Sequence, residues 1–128
     1  MPSEVVKRRL AEAEGFLEEA EYLYSEKLSN LHTLAKLYHA MIYSLFALFE
    51  LRDIGELTHA DLIDSFERDY VQKGIFDSTV LKAMRFAYDI THECDCVHMK
   101  QPEDRDVLRL EPVVRSFVHE VKALLSGQ

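Results

Sequence analysis

The chain has no tryptophan, and among its 128 residues there are only four glycines, three prolines and two cysteines. So few glycines and prolines leave little room for tight turns, which calls for long elements joined by short connections. Cys94 and Cys96 are too close together to close a useful structural disulfide, which suits a reducing compartment. Long apolar runs are missing as well. The most apolar stretch, AMIYSLFALF over residues 40–49, is half the length a bilayer crossing needs. Lys36, His39, Glu50 and Arg52 flank it, so it reads as a buried core helix. The N-terminal MPSEVVKRRLAEAEG carries acidic residues where a signal peptide needs its apolar region. A cytoplasmic protein with no membrane contact is the expectation.

An excess of positive charge is also absent. The net charge is −8, and general affinity for nucleic acid comes mostly from Lys and Arg neutralising phosphates. DNA binding is therefore not expected, and RNA contact would need a local basic patch. The only dense one is Lys7-Arg8-Arg9, in a first helical turn, where solvated surface is the expected role.

Hydrophobic residues make up 48% of the chain and charged residues 30%, the balance of a folded chain rather than a disordered one. The length suits one domain over residues 1–128. Across residues 4–27, Val6, Leu10, Ala13, Leu17, Ala20 and Tyr24 alternate by four and three, one face of a helix that Ser3 can cap. Asn30 can cap a second helix reaching about Arg52, with Gly55 as its stop. Leu34, Leu37, Met41, Ser44, Leu48 and Leu51 form one stripe on it, and Tyr38, Ile42, Leu45 and Phe49 another. A helix apolar most of the way round belongs at the centre of a bundle. Thr58 opens a third helix, with Asp61 three residues on and Leu62, Phe66 and Tyr70 facing inward. Gly74 suits the left-handed residue after a helix end, and Asp77 the next N-cap. A fourth helix runs from Ser78 to about Val97. After a turn at QPEDRD, a fifth carries Val114, Phe117, Val118, Val121 and Leu125, with Pro112 in its first turn or kinking it. No stretch alternates with period two. The expected fold is all-α, an antiparallel up-down bundle of about five helices.

Residues 85–99, RFAYDITHECDCVHM, concentrate the reactive side chains: His92, Cys94, Cys96 and His98 at alternate positions, seven residues and more beyond Arg85. On a strand these four would converge on a metal. On a helix, at about 100° per residue, His92 pairs with Cys96 and Cys94 with His98, back to back. A tetrahedral zinc site would require the helix to unwind after Thr91, so no metal site is assigned and a Cys/His metal protein is the weakest reading. Val80, Ala83, Ala87, Ile90, Cys94 and Val97 form the core stripe; Arg85, His92 and Cys96 project roughly 180–220° away. Leu81, Tyr88 and Met99 share that outer face, so another helix or a second subunit should cover it. A homodimer is a reasonable expectation.

Tyr38, Ala40, Met41 and Tyr43 on the central helix, Thr58 and His59 opening the next, and Val71, Gly74, Phe76 and Asp77 at its turn form one pattern. With it, residues 38–77 resemble the second and third helices of HEPN domains (higher eukaryotes and prokaryotes nucleotide-binding), closest to a small, stand-alone prokaryotic subfamily. The resemblance implies a bundle of four or five helices, commonly dimeric and without a cofactor. It implies a nucleotide- or partner-binding module, often of a toxin–antitoxin-type system with a small nucleotidyltransferase. Nuclease members of the family cut RNA without metal, using an Arg and a His separated by four to six residues. Arg85 and His92 meet that spacing on one helix face, about 10 Å apart along the axis. They are the candidate catalytic residues, His92 as general acid–base on a 2′-hydroxyl or leaving oxygen and Arg85 stabilising the phosphate. Phe86 follows Arg85 where the family usually has a polar residue, and registering the chain on Phe76-Asp77 brings the family's Arg to Thr91. A non-catalytic module is thus the first expectation and a metal-independent RNase the alternative. Tyr38 and Tyr43 read as packing residues with hydrogen-bonded hydroxyls, and His59 as exposed first-turn surface.

Overall fold

The computed structural model describes residues 3–53, 58–92 and 102–127. Among them are five helices and no strand, the all-helical class expected. They are α1 (Glu4–Ser25), α2 (Asn30–Leu48), α3 (His59–Phe66), α4 (Ser78–His92) and α5 (Asp104–Leu125). A π-helical turn, Glu67–Val71, continues α3. None of the described helices is long and apolar enough to cross a membrane.

α2 is the centre. Twelve of its nineteen residues are buried, on every side, and it packs against each of the other four helices. Leu34, Leu37, Met41, Ile42 and Leu45 are fully shielded from solvent, and each such burial contributes roughly 1.5–3 kcal/mol. Where α2 carries a hydroxyl inward, the helix satisfies it: Ser44 Oγ donates to the Ala40 carbonyl at 2.9 Å. A second apolar layer joins the turn after α3 to α5, where Phe66, Phe76 and Phe117 meet edge-on or tilted at 5.2–5.6 Å between ring centres.

Several caps follow the sequence. Ser3 Oγ accepts from Val6 N, Thr58 Oγ1 from Asp61 N, and Asp77 Oδ1 from Thr79 N. Gly74 takes the left-handed conformation, φ 76°, as expected. Other ends differ. Ser29, not Asn30, caps α2, its hydroxyl accepting from His32 N. Asn30 is the first helical residue and donates through Nδ2 to Asp104 Oδ1 at 2.8 Å, tying the start of α2 to the start of α5. α5 opens with a reciprocal capping box between Glu103 and Asp106, so Pro112 lies well inside the helix rather than in its first turn. Its ring is exposed, which leaves the Leu108 carbonyl it cannot serve facing the solvent side.

The exit of α2 is the largest departure from the expected boundaries. The helix stops at Leu48 instead of near Arg52, and Gly55, the expected stop, lies outside the described residues. Glu50 turns left-handed, φ 50°, with its N–H on the Ala47 carbonyl and that of Leu51 on the Phe46 carbonyl, the paired bonds of a Schellman end. The chain beyond is held by Arg9. Expected as solvated surface, Arg9 is 6% exposed. Its Nε donates to the Leu51 carbonyl at 3.0 Å, Nη2 to the Arg52 carbonyl at 2.9 Å, and Nη1 to Glu12 Oε1 at 2.9 Å. The guanidinium carbon stands 5.6 Å from the centre of the Phe46 ring. Of the basic triplet, only Lys7 and Arg8 are surface.

Arg9→Met should lower stability by about 2–4 kcal/mol in urea unfolding, because two buried-side carbonyls and Glu12 lose their donors; Arg9→Lys should recover less than half of that. Glu50→Gly should raise stability by about 0.5–1 kcal/mol, since a side chain at positive φ carries a strain that glycine lacks. An unchanged or lower denaturation midpoint for Glu50→Gly would contradict this account of the α2 end.

Candidate functional site

On the side of α4 that carries Arg85 and His92, Leu81 is buried, Tyr88 and Arg85 are half-buried and His92 is exposed. The half-apolar stripe is covered from within the chain, by α2 and α3. The solvent side of α4 instead carries Lys82, Phe86 and Asp89. Of the expected core stripe Val80, Ala87 and Ile90 are buried and Ala83 is half-buried, while Cys94 and Val97 lie outside the described residues.

On this side the structure separates the Arg85/His92 pair by partner. Arg85 Nη2 donates to Glu67 Oε1 at 2.8 Å and to Asp64 Oδ1 at 3.1 Å, both on the α3 side. Two carboxylates thus balance one guanidinium. His92 goes to a different group. Its ring stacks on Tyr88 one helical turn earlier, 4.1 Å between centres and 15° between planes. Its Nδ1 donates to the Tyr88 carbonyl at 3.1 Å and lies 2.8 Å from Thr91 Oγ1.

Around His92 rings converge from three helices. Tyr38 of α2 meets it edge-on at 5.2 Å, and His59 of α3 at 5.5 Å. Tyr38 is 1% exposed, and its hydroxyl lies 2.8 Å from His59 Nδ1. Burial pushes the Tyr38 phenol well above its ordinary value, and burial pushes the His59 imidazole below its own. Both groups are therefore neutral near pH 7, and they share one hydrogen bond across this contact. Tyr38 has the hydrogen-bonded packing role expected of it; His59 is not the plain surface residue it was expected to be. His39, the next residue on α2, is half-buried and stacks on Phe16 of α1 at 5.2 Å, with Tyr43 tilted against the same Phe16 at 4.9 Å. Lys36 Nζ stands 5.3 Å from the Phe16 ring centre and pairs with Glu19 at 3.0 Å.

The imidazoles discourage one another's protonation. His39 is held below the ordinary histidine value by burial first, then by Lys36 and His92; His59 by burial, then by His92 and His39. What results is a patch of imidazoles and phenols, with His39 and His59 resisting protonation, able to stack on a flat ring and to exchange hydrogen bonds with its edge. Among the described residues no group of three or more His, Cys, Asp or Glu side chains is arranged to hold a metal ion. Cys94, Cys96, His98 and Met99, named in the sequence as metal-type or outer-face residues, lie outside the described residues. Phe16 and His39 were not singled out in the sequence; one is a partly buried phenylalanine on an amphipathic helix, the other a flank of the apolar run, and only the packing of α1 on α2 joins them.

No protein-family model matches the chain, and no curated protein is significantly similar to it.

The lowered histidines set a sign for pH dependence. In the unfolded chain His39 and His59 take up protons near pH 6.5, while in the folded chain they resist until lower pH. Between these values the unfolded state binds more protons, so stability is full above about pH 7 and falls as pH drops through the folded pKa values. Urea unfolding at pH 7.5 and 5.5 should show that loss, and the double variant His39→Gln/His59→Gln should flatten it. Equal slopes for the two proteins would remove these imidazoles as its source.

Proposed function

We propose that this chain is a non-catalytic, HEPN-like helical module that binds a nucleotide at the ring cluster of Tyr38, His39, His59, Tyr88 and His92. The convergence of these rings from α2, α3 and α4 is the observation that carries the reading. Every nucleobase has a flat face, and stacking one on an aromatic side chain contributes about 1–3 kcal/mol. The imidazoles add donors and acceptors for a base edge, and burial keeps His39 and His59 from taking up charge readily. With a net charge of −8 the chain repels long polyanions, so a mononucleotide or a few unstacked bases suit it better than a duplex.

The alternative, a metal-independent RNase acting through Arg85 and His92, is less well supported. Arg85 would have to leave both Asp64 and Glu67 before it could stabilise a phosphate. Homodimerisation and a nucleotidyltransferase partner in a toxin–antitoxin-type system belong to the same proposal and rest on the HEPN resemblance of residues 38–77 alone.

The deciding experiment uses the full chain. Titration with AMP, GMP, CMP and UMP, followed by amide and imidazole NMR signals, should give saturable shifts at residues 38–39, 59 and 88–92 for at least one of them. Tyr88→Ala should weaken that binding about five- to tenfold, the loss of one stacking face. If none of the four nucleotides moves these signals, the nucleotide reading is wrong. RNA incubated with the protein in EDTA should stay intact; cleavage by the wild type that His92→Ala abolishes would replace the binding reading with the RNase one.

A further inference from the structure

α4 and α5 enclose a groove on the solvent side of α4, away from the ring cluster. Its volume is about 390 Å³, within the range of small-ligand sites. Ala83 and Phe86 of α4 and Leu110 and Val113 of α5 make its apolar floor, and Lys82 and Arg109 stand on it, one from each helix. Phe86 is 37% exposed, so the face of a large aromatic ring is presented to whatever enters.

Neither cation makes an ion pair, and of the described cations without one they are the two that line this groove. Elsewhere the described basic residues are mostly committed: Arg9 to Glu12, Arg68 to Asp69, Arg85 to Asp64 and Glu67, Arg115 to Glu21 and Glu111, Lys36 to Glu19 and Lys122 to Glu14. Among the described residues no carboxylate pairs with Lys82 or Arg109. Two helix-start carboxylates stand near: Asp106, which also lines the groove, accepts the Glu103 N–H at 2.8 Å, and Asp77, which accepts the Thr79 N–H at 2.9 Å, feels the charge of Lys82. In a chain with eight excess negative charges, Lys82 and Arg109 against the single lining carboxylate of Asp106 leave this groove net positive.

The geometry points to a second binding site here, for a small amphipathic anion: an aromatic or short apolar body seated on Phe86 and Val113, with one carboxylate or phosphate between Lys82 and Arg109. Size favours such a ligand over a protein. A stable protein contact buries about 800 Å² on each partner, and four floor residues supply far less. The two cations select charge and the floor selects an apolar body, so neither inorganic phosphate nor a neutral ring satisfies both. The site stands independently of the ring cluster and of any nucleotide reading.

The probe is 1-naphthoate, titrated into the full chain and followed by amide NMR, with 1-naphthalenemethanol as the uncharged match and inorganic phosphate as the anion alone. Naphthoate should give saturable shifts confined to residues 79–86 and 106–113, with binding roughly tenfold tighter than the alcohol and than phosphate. Lys82→Gln/Arg109→Gln should erase the preference for naphthoate over the alcohol, and Phe86→Ala should weaken both ring ligands about equally. All three substituted side chains are solvent-exposed, so the variants should keep the wild-type spectrum elsewhere. Equal affinity for naphthoate and the alcohol in the wild type, shifts outside the groove, or a preference that survives the double substitution would each overturn the assignment.

Discussion

A helix buried on all sides has no face to give to water, and α2 is such a helix. It must be surrounded, and the four other described helices surround it. The chain that follows its last turn must also be tied back onto the bundle. Arg9, reaching across from α1, donates to two of its carbonyls with a rigid fork that no other side chain offers. The Schellman end at Glu50 turns the chain toward that fork. Covering α2 and closing its exit are thus one problem with one solution. The position of α1 follows from it, and with α1 the position of Phe16 against His39.

The ring cluster depends on the same centre. Tyr38 points out of α2 far enough to be buried by α3 and α4, and its hydroxyl then has one good partner, His59 Nδ1. His59 sits in the first turn of α3, where the Thr58 cap fixes the helix start and so the direction of the imidazole. His92 reaches the cluster by stacking on Tyr88, a contact made within one helix. The site is therefore assembled from a buried phenol outward, and its polar groups are largely neutral. Arg85 lies on the same side of α4 but is drawn to the carboxylates of α3, which leaves the patch suited to ring recognition more than to charge stabilisation.

Much of the fold was legible from residue spacing. The all-helical class, the central place of α2, the Ser3, Thr58 and Asp77 caps and the left-handed Gly74 all rest on periodicity or local hydrogen bonding, which neighbours in sequence can reveal. Boundaries failed where the deciding partner is distant. Nothing near Leu48 announces the end of α2, because Glu50 accepts a conformation glycine would take more readily and Arg9 lies forty residues away in the chain. Arg9 itself, within a basic triplet, has the local signature of surface. On α4 spacing found the core positions Val80, Ala87 and Ile90 and a second, half-apolar stripe, but could not say whether another helix or a second subunit covers it.

For the candidate site the division is sharper. Arg85 and His92 were visible as a pair because both lie on one helix, yet their common face did not give them a common partner. His39, His59 and His92 come from three helices, and no spacing rule connects them. By itself the sequence determined what local physics controls: which segments are helical and which stripe of each is apolar. Only the tertiary structure decided which polar side chains meet, that Arg85 is balanced by Asp64 and Glu67, that Tyr38 joins His59 to His92, and that Lys82 and Arg109 share a groove. Those contacts depend on how helices cross, and crossing is set by the shape of the buried core as a whole rather than by any one segment.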